Sequence, residues 1–594
     1  MTRTPLRPLA RVLQARQAGH NPDLIEAENR RLRAEALRDG ARARAEVRLM
    51  VLGAFFSCFF IAIIVKMAMV ATSAPVEPQS GGGASDIIAM RADIVDRQGR
   101  ILATNFDTYS IYAQPRDMVD PAYAAQELAR IFPEMSEEDL LKNFNGQRSF
   151  VWIRRQASPE QIQAVHDIGE PGLLFGPREM RLYPNGPLAG HILGGTRFEH
   201  EDVNSAALRG VAGVERQFDE FLSDPANEGR PLRLSIDLTI QDAMERILHS
   251  GMMWMNAKGA AGIILDVHTG EIIAMASLPD FDPNDRPVVQ TTGDQADSPL
   301  FNRAVQGIYE LGSTFKIFAV AQAMELGLVN PETMIQTSPG IRMGGFTISD
   351  FHNYGRENSV SEVIVKSSNI GTAHIAEMIG GERQQSFLRS LGLLDLSPVE
   401  LGEARAGKPQ FPRQWGELST MTVSYGHGVA ASPLHLAAAY ATIANGGVTV
   451  TPTLLHGQPR EPGERVMSEE TAQHAVDMLR QVVVRGTATM GEVHGYQVAG
   501  KTGTADKVRP TGGYYEDKVI ATFAGMFPAS APQYVVVVTL DEPVDTVGTE
   551  PRRTAGWTSV PVAAELIRRV GPLLGVRPII ETPLLTGVSV AANE

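Results

Sequence analysis

The chain is 594 residues long, 43% hydrophobic and 21% charged, with a formal net charge of −14. That length allows two or three domains, the composition excludes wholesale disorder, and the negative balance argues against a nucleic-acid partner held through its phosphates. The single cysteine, Cys58, excludes an internal disulfide and a cysteine-based metal site.

Residues 1–48 carry eleven arginines against six acidic residues, a local charge of +5 that leaves −19 for the rest. From Leu24 to Arg48 the Ala- and Arg-rich sequence reads as a helix. It runs into Leu49–Val65, seventeen residues without a charge, and the stretch closes at Val70 after a single Lys66. Such a span can cross the hydrocarbon layer, with Lys66 snorkelling to the interface. The basic leader is too long, and the apolar stretch too extended, for a cleaved signal peptide. The positive-inside rule then sets residues 1–48 in the cytoplasm and everything after Val70 outside it. Residues 71–90, rich in Pro, Ser and Gly, read as a flexible linker.

Arg91–Ala103 alternates apolar residues around Arg-Gln-Gly, which predicts a hairpin. Residues 105–230 mix short helices and turns. Arg181-Leu-Tyr-Pro-Asn-Gly-Pro-Leu-Ala-Gly-His191 and Gly210-Val-Ala-Gly-Val-Glu215 stand out there, but neither holds a catalytic constellation, and His191 reads as a packed or solvated residue. A helix opens near Ser235–Gln241 with Asp237 or Thr239 as its cap. Ala261–Val267 and Glu271–Ser277 read as a hairpin, and strands return at Tyr496–Thr504, Val519–Phe527 and Tyr534–Leu540. Strands at both ends of a mainly helical insert predict an α/β (α+β) fold, with an antiparallel sheet covered by helices.

The chemistry lies in Glu310-Leu-Gly-Ser-Thr-Phe-Lys316. A serine hydroxyl needs a base within hydrogen-bond reach, and residues three apart on a helix share a face, so Lys316 can sit beside Ser313. The helix formers from Phe315 to Leu326, stopped by Gly327 and Pro331, supply that helix. Ser367-Ser-Asn369 and Lys501-Thr-Gly-Thr504 follow in order. Ser-x-x-Lys, Ser-Asp-Asn and Lys-Thr-Gly are together the signature of class A β-lactamases and penicillin-binding proteins. A rival pattern, Gly495-Tyr-Gln-Val-Ala-Gly-Lys-Thr502, matches a phosphate-binding loop. That loop needs a helix beginning at its lysine, and Gly503 followed by Thr-Ala-Asp-Lys-Val-Arg-Pro cannot form one.

With these motifs in place, residues from about 90 to 575 resemble a class B penicillin-binding protein. Arg91–Ala103, Arg181–His191 and Gly210–Glu215 resemble its non-catalytic pedestal. Asp266–Ser277, the three site motifs and Tyr425-Gly-His-Gly428 resemble its transpeptidase domain. The short leader and single anchor are most similar to the members that crosslink the division septum. Leu311 departs from the proline many relatives carry before the Gly-Ser of the first motif. The resemblance implies a cytoplasmic segment (1–48), a transmembrane helix (49–70), a linker (71–90), a pedestal (91–231), a transpeptidase domain (232–578) and a tail (579–594), with the catalytic domain in the periplasm.

The resemblance also implies roles. Ser313 attacks the carbonyl between the terminal D-alanines of a peptidoglycan stem peptide, and Lys316, kept partly neutral by burial and by Lys501, takes its proton. Ser367 relays a proton to the leaving group and Asn369 positions the substrate amide. Lys501, Thr502 and Thr504 hold the terminal carboxylate, and Gly503 clears room for the substrate backbone. Backbone N–H groups of Ser313 and Thr504 form the oxyanion hole. An amine of a neighbouring stem peptide takes the acyl group, β-lactams acylate Ser313 in its place, and no metal or cofactor is required. Implied partners are a septal glycan polymerase and other division proteins. Alternatives are an elongation-specific transpeptidase, a β-lactam sensor or a scaffold; a β-lactamase usually lacks such an anchor and pedestal.

Overall fold

The computed structural model describes residues 7–72, 91–145, 148–201, 206–227, 229–459, 461–509 and 512–579, in two compact units, 1–87 and 88–594. The expected linker, from residue 73 onward, and the tail, from residue 580, lie outside the described residues.

In the first unit, helix α1 (Arg7–Gln17) turns at Gly19, in the left-handed region at φ +72°, into the 50-residue α2 (Asp23–Thr72). Exposed pairs Arg30–Glu26, Arg31–Glu35 and Arg42–Glu46 lie one turn apart along α2, each worth a few tenths of a kcal/mol. Glu46–Met67 of the same helix is long and apolar enough to cross a bilayer. Its 22 residues span about 33 Å. The helix expected to continue unbroken from the leader into the span does so.

The second unit opens with the expected hairpin, β1 (Ile94–Val95) against β2 (Ile101–Ala113). Buried Asp96 closes the turn by accepting hydrogen bonds from the backbone of Gln98 and Arg100 and from Arg100 Nε. β2 also pairs with β3 (Val151–Ala157) and β4 (Leu173–Leu182), while β1 pairs in parallel with β5 (Leu232–Arg233). A small core around Ile111, Leu128, Phe132 and Phe144 fills this region. Beside it, fully buried Glu215 accepts from Arg91 Nε at 2.7 Å, Arg181 Nε at 2.7 Å and Tyr183 Oη at 3.2 Å. The three pedestal-like motifs of the sequence thus meet in one ion cluster.

Asp237 caps α3 (Leu238–Trp254), accepting from Thr239 N and Ile240 N. The main sheet then forms from β6 (Gly259–Asp266), β7 (Ile272–Leu278), β8 (Ala499–Val508), β9 (Tyr514–Phe527) and β10 (Tyr534–Asp541), all antiparallel, in the order β8-β9-β10-β6-β7. β6 and β7 are apolar without alternation because helices cover both faces. Gly262 is needed because a Cβ there would stand 2.5 Å from Leu248 Cδ1 of α3. Between the two halves of the sheet lie α4 (Lys316–Glu325), α5 (Val360–Lys366), α6 (Asn369–Ile379) and other helices. Two small two-stranded pairings within 334–359, which the sequence did not signal, form part of this insert.

Candidate active site

The nucleophile turn is set by three close approaches. Residues Gly312–Phe315 form a 3₁₀ turn leading into α4. A Cβ at Gly312 (φ +55°) would stand 2.8 Å from Thr504 O, and one at Gly426 would stand 2.1 Å from Gly312 O. One at Gly503 would stand 2.1 Å from Leu311 O. The turn is therefore pressed between β8 and the 425–428 loop. Gly503, expected to clear room for a substrate backbone, instead admits the carbonyl of Leu311 to the strand.

Ser313 is half-buried and lines a cleft of about 820 Å³ with Ser367, Asn369, Thr502 and Thr504. Lys316 and Lys501 lie fully buried beneath it. Both donate to Ser367 Oγ, Lys316 Nζ at 3.1 Å and Lys501 Nζ at 2.9 Å, and Lys316 Nζ also reaches the Ser367 carbonyl. The lysine expected beside Ser313 donates to Ser367, and none of its hydrogen bonds among the described residues goes to Ser313. Ser367 ends α5 in the left-handed region (φ 62°, ψ 44°), a conformation costing about 1–3 kcal/mol in a residue with a Cβ.

The two lysines are buried on one hydroxyl, with no carboxylate in salt-bridge range among the described residues. Burial pushes Lys316 well below the usual lysine range, and the Lys501 charge pushes it further, partly offset by Asp350. Burial brings Lys501 down to about 7. An amine in this state can accept a proton near neutral pH.

Asn369 begins α6, and its Nδ2 donates to Ser349 O at 2.9 Å. Asp350, which the sequence reading missed, organises this corner by accepting from Ser368 Oγ at 2.6 Å and Ile370 N at 3.1 Å. An acidic side chain at a helix N-terminus satisfies its free N–H groups. On β8, Thr502 Oγ1 pairs with Thr487 Oγ1 at 2.7 Å, and Thr504 Oγ1 accepts from Ala555 N at 2.9 Å. β8 is an edge strand, so its outer side offers backbone groups to an extended peptide.

Glu310 was assigned no role from the sequence. It is buried and accepts from Gly428 N at 2.9 Å and Tyr514 Oη at 3.1 Å. No local pattern could have shown this, since both donors lie more than 100 positions away. His191 is packed, as expected: its Nε2 lies 3.2 Å from Pro279 O, its ring meets Phe281 edge-on, and burial lowers it to about 4. The phosphate-loop rival fails on geometry, because Lys501 lies inside a strand with no helix after it.

A family described as penicillin binding protein transpeptidase domain matches residues 260–568, and one described as penicillin-binding protein dimerisation domain matches 86–227. The chain is 35% identical over 556 residues to the probable peptidoglycan D,D-transpeptidase FtsI of Caulobacter vibrioides, covering 91% of each chain. It is 30% identical over 483 residues to the peptidoglycan D,D-transpeptidase FtsI of Escherichia coli, covering 76% of this chain and 79% of that one. A crystal structure of penicillin binding protein 3 from Mycobacterium tuberculosis, complexed with aztreonam, superposes with a TM-score of 0.62 at 26% identity, covering 83% of this chain and 97% of that one.

Proposed function

The chain belongs to the class B penicillin-binding proteins and is a peptidoglycan D,D-transpeptidase of the serine acyl-transfer type, and from that premise we propose the residues that carry the reaction. Ser313 attacks the carbonyl between the terminal D-alanines of a stem peptide. Lys316 takes the hydroxyl proton, and Ser367, bonded to both lysines, passes a proton to the departing D-alanine. Asn369 positions the substrate amide. Lys501 holds the terminal carboxylate with Thr502 and Thr504, and an anion bound there restores the charge that burial opposes. The N–H groups of Ser313 and Thr504 stabilise the oxyanion, a contribution of about 3–4 kcal/mol per donor in comparable sites. A second stem peptide then supplies the amine, forming the crosslink, and β-lactams acylate the same serine.

The observation that carries this reading is the Lys316–Ser367–Lys501 cluster directly beneath the cleft that holds Ser313. The septum is the proposed place of action, supported by the FtsI relatives, with Glu46–Met67 as a single-pass anchor, the arginine-rich leader in the cytoplasm and the catalytic domain in the periplasm. Residues 91–231 and 232–578 serve as pedestal and transpeptidase domain, and the span and pedestal are the surfaces offered to a glycan polymerase and other division proteins.

The test is covalent labelling of the full chain with a fluorescent penicillin, beside Ser313→Ala, with mass spectrometry of the adduct. A stable adduct on Ser313, absent from the variant, is the expected result. Rapid release of hydrolysed drug would mark a β-lactamase, and no labelling of folded protein would remove the enzyme reading.

A further inference from the structure

Beside the nucleophile turn lies a carboxylate–imidazole pair that the roles above do not use. Glu310 is 8% exposed; its Oε1 accepts from Gly428 N, and its Oε2 stands 3.5 Å from His427 Nδ1. The His427 ring is held between Tyr514 and Tyr425, with centroids 5.1 and 6.2 Å away. It lines the same cleft as Ser313. Its neighbour Gly426 is in direct contact with Gly312, so the loop bearing the imidazole rests on the residue before the nucleophile. With Nδ1 turned to the carboxylate, Nε2 is the ring nitrogen left to the cleft, and it accepts when the proton sits on Nδ1. His352 also lines the cleft, but it is exposed, with the Phe351 and Tyr354 rings nearby and no carboxylate paired with it among the described residues.

The two halves of the reaction make different demands. In acylation the proton leaves a serine hydroxyl, where the lysine cluster lies. In transfer it leaves the incoming amine, which enters from the open side of the cleft after D-alanine has gone. We propose that His427, oriented by Glu310, is the general base for that incoming amine, an inference that rests on the transpeptidase reading of Ser313.

As the amine nitrogen bonds to the carbonyl carbon of the Ser313 ester, its N–H proton passes to His427 Nε2. The imidazolium is stabilised by the Glu310 carboxylate. The bond from carbon to Ser313 Oγ then breaks, and Oγ recovers the proton from the imidazolium through cleft water. Amide and free serine are the products, and no further reactant is consumed. Glu310 acts through the imidazole as a positioning residue; Tyr425, Tyr514 and Asp506 are the other titratable groups around it.

The test uses the full chain in detergent with a thioester analogue of the donor peptide and D-alanine as the amine acceptor, and separately the rate of penicillin acylation. His427→Ala is expected to lower aminolysis by about 10²-fold relative to acylation, with added imidazole restoring it. Glu310→Gln is expected to lower the same ratio by a smaller factor. His427→Gln, which keeps much of the packing, serves if the alanine variant does not fold, and penicillin labelling reports folding in each case. Aminolysis and acylation falling together, or an unchanged ratio without imidazole rescue, would overturn the proposal. Loss of labelling in the unmodified chain would instead remove the reading it rests on.

Discussion

Two of the places where the second unit buries charge are built in opposite ways. Around Glu215, two guanidinium groups close on one carboxylate, Arg91 at 2.7 Å and Arg181 at 2.7 Å, while Arg91 also reaches Asp219 at 2.8 Å. Around Ser367, two ammonium groups share one neutral hydroxyl. Desolvating an ion costs several kcal/mol, and only a well-made pair recovers it. The first cluster sets opposite charges in contact. The second does not, and its lysines are pushed toward the neutral form instead. The first arrangement holds a domain together; the second leaves amines able to accept a proton.

Exchanging the two kinds of loss is the sharpest way to break this comparison. Replacing Lys316 by Met removes the proton acceptor while keeping an apolar stem. Acylation by penicillin should then fall by about 10²–10⁴-fold, with no loss of thermal stability. Replacing Glu215 by Gln should do the reverse. Leaving buried guanidinium groups without their carboxylate should cost about 3–5 kcal/mol of stability, read by denaturant unfolding, while the folded fraction acylates at the unmodified rate. If the Glu215 variant lost acylation without losing stability, or the Lys316 variant the converse, the two clusters would not be distinct in kind.

How far each cluster could be read from the chain follows from sequence distance. Ser313 and Lys316 are three positions apart, and the Ser367 and Lys501 motifs are recognisable strings, so all four could be singled out before any fold was known. Arg91 and Glu215 are 124 positions apart, and neither flanking motif names the other. Their motifs were visible, but their shared purpose was not. Glu310 shows the same limit inside the site: it lies within the motif that organises the chain, yet its partners at 428 and 514 come from a distant loop and strand. Asp350 acts from a loop with no repeating pattern. At Gly503 the need for a glycine was legible but its neighbour was not, since Leu311 meets β8 only in the folded sheet. The strands of the main sheet were placed within a few residues, because long apolar runs buried on both faces leave a strong signal.

The most direct measurement is the pH dependence of penicillin acylation in the unmodified chain and in Lys501→Met. Neutral Lys316 is the reactive form, so the rate should rise with pH through the Lys316 pKa, with a midpoint well below the usual lysine value of 10.5. The Lys501 charge disfavours a proton on Lys316; without it the Lys316 pKa rises, and the limb in the variant should move to higher pH whatever happens to its height. A limb near 10.5 in the unmodified chain, or one that fails to move upward in the variant, would contradict the proposal that a buried Lys316, held toward neutrality by burial and by the Lys501 charge, activates Ser313.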